Sequence, residues 1–506
     1  MQRDGGTFTA ATGTTASINP NVILENEILA GAPPPYDSSY LAPSGPPLQR
    51  QESSATSITE SAIAEEYTDR DSIVKRDDPL ATRRVSSTRT LINILKGMIG
   101  PGCLSLPLAF KFGGLWTSVA LTAVVGILTT HSMTMLVHCA QHLCTRSGKL
   151  ELDYGHLAKK AVDYGPLSWR RHSRKALYFT NFMVLVFQIG VCSVQFVFMG
   201  SNLRKVVDAF NHGKVILSTQ AWIAIILLPI IMINFERRLK ILSLFSAVGN
   251  IFLLIGFVII FQLIARAPNA IKADKDWFED FNSLLLFLGA VLYAFEGQAM
   301  ILPMENRMKN PEDLNRPFGV LHTSMAVVVL IYIATGFFGY AKFGEDTLGS
   351  ITLNLPDEPL YQAVILVMVV VVFFGMPVQE FVIVAALWPS IRRKLPQHLK
   401  SGPISLVLEY VFRITAILFQ FVLAMVIPNL ELIVPLVGVS AGMIISFMLP
   451  AGLEMITFWN FWQLEYYPMK RYLVITKDIC LILIGLFGMS AGLYVNILQI
   501  IQSDHV

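Results

Sequence analysis

The sequence predicts an all-α polytopic membrane protein with eleven transmembrane helices, and three observations carry that class. Of its 506 residues, 53% are hydrophobic and only 15% charged, against about 25% charged in an ordinary soluble protein. Mean hydropathy is +0.55. Beyond the first ninety or so residues, apolar stretches long enough to cross roughly 30 Å of hydrocarbon follow one another with short charged intervals. They lack the alternating pattern of barrel strands. Backbone groups in lipid must pair within their own segment, so each stretch is expected to be a helix.

In chain order, residues 1–90 are rich in Ser, Thr, Pro and Gly and contain no apolar run able to span or to form a core. They read as a disordered tail. The N-terminus has neither the basic start nor the early apolar core of a signal peptide, so the first spanning helix directs insertion and leaves the tail in the cytosol. Residues 91–506 then form the transmembrane domain, with stretches at about 91–111, 115–140, 176–202, 215–235, 240–265, 282–304, 317–341, 359–389, 404–427, 429–455 and 472–501. Taking the N-terminus as cytosolic places 25 Lys and Arg on the cytosolic flanks from Lys75 onward and 8 on the opposite flanks. That bias agrees with an odd number of spans and a C-terminus on the lumenal or extracellular side.

The formal net charge of +3 is spread in short runs, which excludes a polyanion-binding surface, so nucleic-acid binding is not expected. The five cysteines (Cys103, Cys139, Cys144, Cys192, Cys480) show no CxxC or Cys/His spacing, so no metal or redox framework is expected. No nucleophile–base constellation is present either, and the chain is not expected to be an enzyme.

Two stretches carry helix breaks. The first reads Lys96-Gly-Met-Ile-Gly100-Pro-Gly-Cys-Leu-Ser-Leu-Pro107. Glycine weakens a helix, and proline removes a donor and clashes with the preceding turn, so Gly100-Pro101-Gly102 should unwind it. Non-helical backbone at membrane depth survives only where it is buried in protein or lines a cavity. Freed N–H groups at the positive end of a half-helix suit a carboxylate. A packing kink is the alternative reading of one such break, but the sixth stretch supplies a second. There Leu292-Tyr-Ala-Phe-Glu296-Gly-Gln-Ala299 sets an acid beside a glycine in an otherwise uncharged span. An ionised carboxylate at that depth costs ~3 kcal/mol even on lenient scales, so Glu296 should face the interior, either as a proton-linked group or as a brace for loosened backbone. A break five spans after the first has the placement expected of an inverted five-plus-five repeat.

Other polar residues within the spans make weaker candidates. Gln379 and Glu380 are adjacent, so only one should face the interior. Glu409 and Arg413 are four apart and should form an internal ion pair. His131 and His138 share a helix face, where packing or an interfacial position accounts for them. Glu431, Glu454, Lys477 and Asp478 lie near span ends, where snorkelling or headgroup contact suffices.

These residues reach a resemblance. From about Thr88 to the C-terminus the chain resembles the proton-coupled amino acid transporters of the amino acid/auxin permease superfamily. The resemblance rests on Thr90-Leu-Ile-Asn-Ile-Leu-Lys-Gly-Met-Ile-Gly100-Pro-Gly-Cys-Leu-Ser-Leu-Pro107, on Phe295-Glu296-Gly297 followed by Leu302-Pro-Met-Glu-Asn306, and on Gly349-Ser-Ile-Thr-Leu-Asn-Leu-Pro356. It implies a LeuT-like fold and the carriage of small neutral amino acids with a proton, across the plasma membrane or out of lysosomes and endosomes. By that analogy the substrate carboxylate meets backbone around Ile99, Gly100, Gly102 and Cys103, its amine meets carbonyls near Tyr293, Ala294 and Phe295, and Glu296 serves proton coupling. Family members often have a histidine where this chain has Asn93, which does not titrate. Members also often carry a disulfide between external loops, but loops 203–214 and 342–358 hold no cysteine here.

The expected function is therefore secondary active transport of a small neutral amino acid, coupled to H+, without a cofactor. An amino-acid sensor that signals through the tail and an uncoupled uniporter or exchanger are the alternatives. Asn93, Gln379 and Glu380 are second-tier site candidates. In the tail, Pro33-Pro-Pro-Tyr36 fits a WW-domain ligand and Arg83-Arg-Val-Ser86 a basophilic kinase site. No N-x-[ST] acceptor is present.

Overall fold

Long apolar runs without alternation fold into helices throughout. In the computed structural model, residues 85–147, 151–211, 214–236, 239–266, 280–295, 297–396, 399, 403–465 and 468–503 are described. The tail to residue 84, with Pro33–Tyr36 and Arg83-Arg84, lies outside the described residues, as does Glu296. Among the described residues the extended pairing is a single bridge, Val85 with Met308.

Helix is found in each of the eleven predicted stretches, but not in eleven uninterrupted spans. Among the described residues, eight helices are long and apolar enough to cross a membrane, from Leu115–Ser147 to Met469–Gln502. The fourth stretch is the short helix Thr219–Ile233, which holds Pro229. At about 1.5 Å per residue it falls short of the full hydrocarbon thickness. In the fifth stretch the helix is Leu239–Ala265. The first is divided into Ser87–Met98, Pro101–Leu104 and Leu106–Gly113. The sixth is divided into Phe281–Ala294 and Gln298–Glu305.

Burial separates a centre from a rim. In their most apolar windows the sixth and tenth spans are 76% and 72% buried, whereas the ninth and eleventh are 22% and 33% buried. Large apolar side chains such as Ile127, Leu254 and Val422 stay exposed on the outer faces. That is the arrangement lipid favours, since bilayer tails solvate leucine as well as a protein core does.

Two elements depart from the sequence reading. Residues 154–164, placed in a connecting segment, form the helix Tyr154–Tyr164, whose N-cap Asp153 accepts from the His156 N–H at 2.7 Å. A search for spans passes over it because it is short and carries Lys159, Lys160 and Asp163 opposite its apolar face. Its Tyr154 hydroxyl donates to Ile445 O at 3.0 Å. Burial pushes that phenol well above its ordinary pKa, so it remains a donor. The tenth span is also broken. Leu430–Val437 and Leu449–Glu465 are joined by π-helical turns at Gly438–Gly442 and Ile444–Met448, with Ser440 at φ −75°, ψ −108°. A Cβ on Gly438 would collide with the Gly289 carbonyl, so this glycine lets the sixth and tenth spans meet backbone to backbone.

Candidate functional site

The two breaks face each other at the centre. In the first, Gly100 is extended (φ −131°, ψ −161°) between Ile99 and the short turn Pro101–Leu104. The Gly100 N–H bonds Met98 O at 2.9 Å and the Cys103 N–H bonds Gly100 O at 3.0 Å. Two of the donors expected to receive a carboxylate are thus engaged within the turn in this conformation. The Ser105 hydroxyl donates to Gly102 O at 2.8 Å and satisfies an acceptor the break would otherwise strand. In the sixth span Phe295 leaves the helix (φ −82°, ψ 32°), and the Gly297 N–H bonds Phe295 O at 2.8 Å.

Close packing joins the breaks. A Cβ built on Gly102 would lie 2.9 Å from Ala294 Cα and 3.5 Å from Tyr293 O. Only a residue without a side chain lets the two backbones approach so closely. Beside Gly100, by contrast, a Cβ would meet nothing within 4 Å. The broken backbone therefore borders open space on one side and the sixth span on the other.

The residue that ties this centre together is one that sequence reading does not single out. Tyr332, fully buried on the helix Val320–Phe343, places its hydroxyl 2.6 Å from Met98 O and 2.7 Å from Ala294 O. Met98 and Ala294 are the last residues of the half-helices Ser87–Met98 and Phe281–Ala294. Helix C-termini carry unsatisfied carbonyls and partial negative charge, so two such ends converge on one hydroxyl whose single proton they share. One turn further on, Thr335 Oγ1 lies 3.7 Å from Cys103 Sγ and donates to Ile331 O at 2.8 Å. Phe295 packs on the Tyr332 ring with centroids 4.9 Å apart. Gly102, Cys103, Tyr293, Ala294 and Phe295 are all buried here, while Ile99 and Gly100 are half-buried.

Gln298 opens the second half of the sixth span. It is only 2% exposed, and neither its amide oxygen nor its amide nitrogen has a hydrogen-bond partner. A buried amide without partners costs stability unless something else uses it.

The second-tier candidates lie elsewhere. Asn93 is exposed on the first half-helix. Gln379 accepts from Gln188 Nε2 at 2.6 Å, and the fully buried Glu380 accepts from Gln420 Nε2 at 2.6 Å. Both adjacent side chains therefore find interhelical partners, on the third and ninth spans, where only one was expected to face inward. Arg413 pairs with Glu409 at 3.0 Å, as their spacing predicts, and also reaches Asn234 O at 3.4 Å. Glu454, Lys477 and Asp478 do not snorkel but meet one another between spans, with Asp478 fully buried. None of the five cysteines is joined in a disulfide.

Paired broken helices, facing each other in a polytopic bundle and lined by backbone polar groups, define a membrane carrier rather than an enzyme. The comparison with known families gives the class its particular form. Residues 83–498 match the family described as transmembrane amino acid transporter protein, and the chain belongs to that family. It is 36% identical over 425 residues to "Probable amino acid transporter skat-1" of Caenorhabditis elegans, covering 83% of this chain and 91% of that one. It is 30% identical over 407 residues to "Proton-coupled amino acid transporter-like protein pathetic" of Drosophila melanogaster, covering 80% and 83%. Among solved structures, "Inward facing conformation of Mhp1" aligns with a TM-score of 0.49 at 11% identity, over 84% of this chain and 92% of that one.

Proposed function

We propose that this protein carries a small neutral amino acid together with a proton by alternating access at the paired breaks. One observation supports this above the others: the last carbonyls of two half-helices converge on the Tyr332 hydroxyl. Two negative helix ends at one point form a seat for a cation, and a substrate ammonium fits it by joining or displacing that hydroxyl. The carboxylate then lies toward the open space beside Gly100, on the Gly102 N–H and on the N–H groups of Gly100 and Cys103 released from their turn bonds. A small side chain suits a site bounded by Phe295, Tyr332 and backbone. Glu296 is assigned to proton linkage or to bracing the sixth-span break, and H+ is the coupling ion, a choice that the name of the Drosophila relative supports.

The charge bias supports a cytosolic N-terminus and a lumenal or extracellular C-terminus, in the plasma membrane or in lysosomes and endosomes. A WW-domain partner at Pro33–Tyr36 belongs to the same reading.

The test is electrical. Purified protein in liposomes under a proton gradient is challenged in turn with glycine, alanine, proline, GABA and tryptophan. The expected result is an inward current with the smaller substrates that grows as external pH falls. Exchange of radiolabel without current makes the protein an uncoupled exchanger, and binding with neither makes it a sensor. In the same assay Glu296→Gln distinguishes the two roles of that acid: proton linkage predicts uptake insensitive to pH, and bracing predicts slower uptake with the wild-type pH profile.

A further inference from the structure

Away from the breaks, the second, tenth and eleventh spans enclose an unbalanced group of charges. Lys477 donates to Glu454 Oε2 at 2.6 Å and lies 3.3 Å from Met135 Sδ. Its Nζ is 3.1 Å from Asp478 Oδ1. Asp478 is fully buried, with its carboxylate set against both Lys477 and Glu454. Thr457, one turn beyond Glu454 on the same face, is buried against the Cys139 thiol. From the second span His131 faces Lys477 and Glu454, and His138 faces Glu454 with His322 of the seventh span beyond it. Cys139 lies against the same three charges, with the Tyr154 phenol behind it. Lys477 keeps a third of its side-chain surface exposed.

With every member ionised, two carboxylates share one ammonium and the buried group holds excess negative charge. Such an arrangement is costly at membrane depth and is relieved by one proton. Elsewhere Glu409 is hydrogen-bonded by the Arg413 guanidinium, which also acts on the buried Glu380, and Glu380 accepts from Gln420.

Resting on the transport reading above, we propose that Glu454, Lys477 and Asp478 form the proton-binding site of this carrier, with Asp478 as the group that takes the proton. The Asp478 carboxylate accepts H+ from water on one side of the membrane, which neutralises the trio, and returns it to water on the other. Glu454 stands on Leu449–Glu465, beyond the break at Ser440, so the charge of the trio acts on a hinged segment. Loss of the proton tightens the attraction to Lys477 and draws that segment toward the eleventh span. In this arrangement Asn93 has no need to titrate, and the role left to Glu296 is bracing.

The experiment uses the full chain in liposomes and two readouts with radiolabelled alanine: counterflow at equal pH, and accumulation driven by a pH gradient. Asp478→Asn is expected to keep counterflow, to lose proton-driven accumulation and to flatten the pH profile. Asp478→Glu is expected to restore a pH-dependent profile at a shifted midpoint. Where Asp478→Asn fails to give a monodisperse protein, Glu454→Gln reads the same site through the shared ammonium. Wild-type accumulation and pH profile in both neutral variants would overturn the proposal, as would a pH profile that moves in Glu380→Gln but not in Asp478→Asn. Wild-type counterflow without proton-driven accumulation overturns the coupling proposal and leaves the transport reading intact, whereas absence of both overturns the transport reading itself.

Discussion

The paired breaks and the trio at the second, tenth and eleventh spans handle polar groups at membrane depth in opposite ways. Among the described residues of the breaks the polarity is backbone, formally neutral, and held by the Tyr332 hydroxyl at 2.6 and 2.7 Å. In the trio it is side-chain charge, two acids on one ammonium. Backbone dipoles cost little to bury once bonded and can be re-aimed by a small change in φ and ψ. Buried charge is costly and changes state only by gaining or losing a proton. The comparison teaches that a site for an organic zwitterion and a site for a proton make different demands, which the two proposed sites meet separately.

Four variants sharpen or break this contrast. The largest effect belongs to Gly102→Val. Its side chain has backbone in its way, Ala294 Cα at 2.9 Å from the first added carbon, so the breaks must separate. Uptake is expected to fall to background, and Gly102→Ala should lower thermal stability where Gly100→Ala, facing open space, does not. Equal stability of the two alanine variants would mean that the breaks do not depend on close approach.

Next is Arg413→Met, which leaves Glu409 buried without its cation and is expected to cost about 3–5 kcal/mol of stability. Converting both residues to apolar ones should recover most of that loss in a thermal melt. Neither change should move the pH profile, which separates a structural ion pair from the trio.

Tyr332→Phe removes one donor from two buried carbonyls, a loss of about 1–3 kcal/mol. Slower uptake together with a lower melting temperature is expected, and wild-type values for both would show that the hydroxyl does not hold the breaks. The smallest effect belongs to Gln298→Leu. With no partner to lose, stability should stay within about 0.5 kcal/mol of wild type or rise. Apparent affinity for substrate should weaken if the free amide reads it.

Much of the centre was legible from residue types. Gly100-Pro101-Gly102 and Glu296-Gly297 announce breaks because glycine and proline act on their own backbone, and the helices do end at Met98 and Ala294. The tenth-span break was not legible. Its signals are Pro435 and the small-residue run Gly438-Val-Ser-Ala-Gly442, and small residues serve uninterrupted packed helices equally well. Glu454, Lys477 and Asp478 were read as lying near span ends because distance to a span end is visible in sequence and a partner on another span is not.

The sequence by itself determined the all-helical membrane class and the places where two helices must open, since these follow from composition, run length and the local chemistry of glycine and proline, and its motif segments carried the resemblance to the family. The tertiary structure alone decided what meets at those openings. Tyr332 is 234 residues from Met98 and 38 from Ala294, yet it holds both carbonyls. A hydroxyl's reach is about 3 Å, and no periodicity along a chain encodes which distant carbonyl will fall within it.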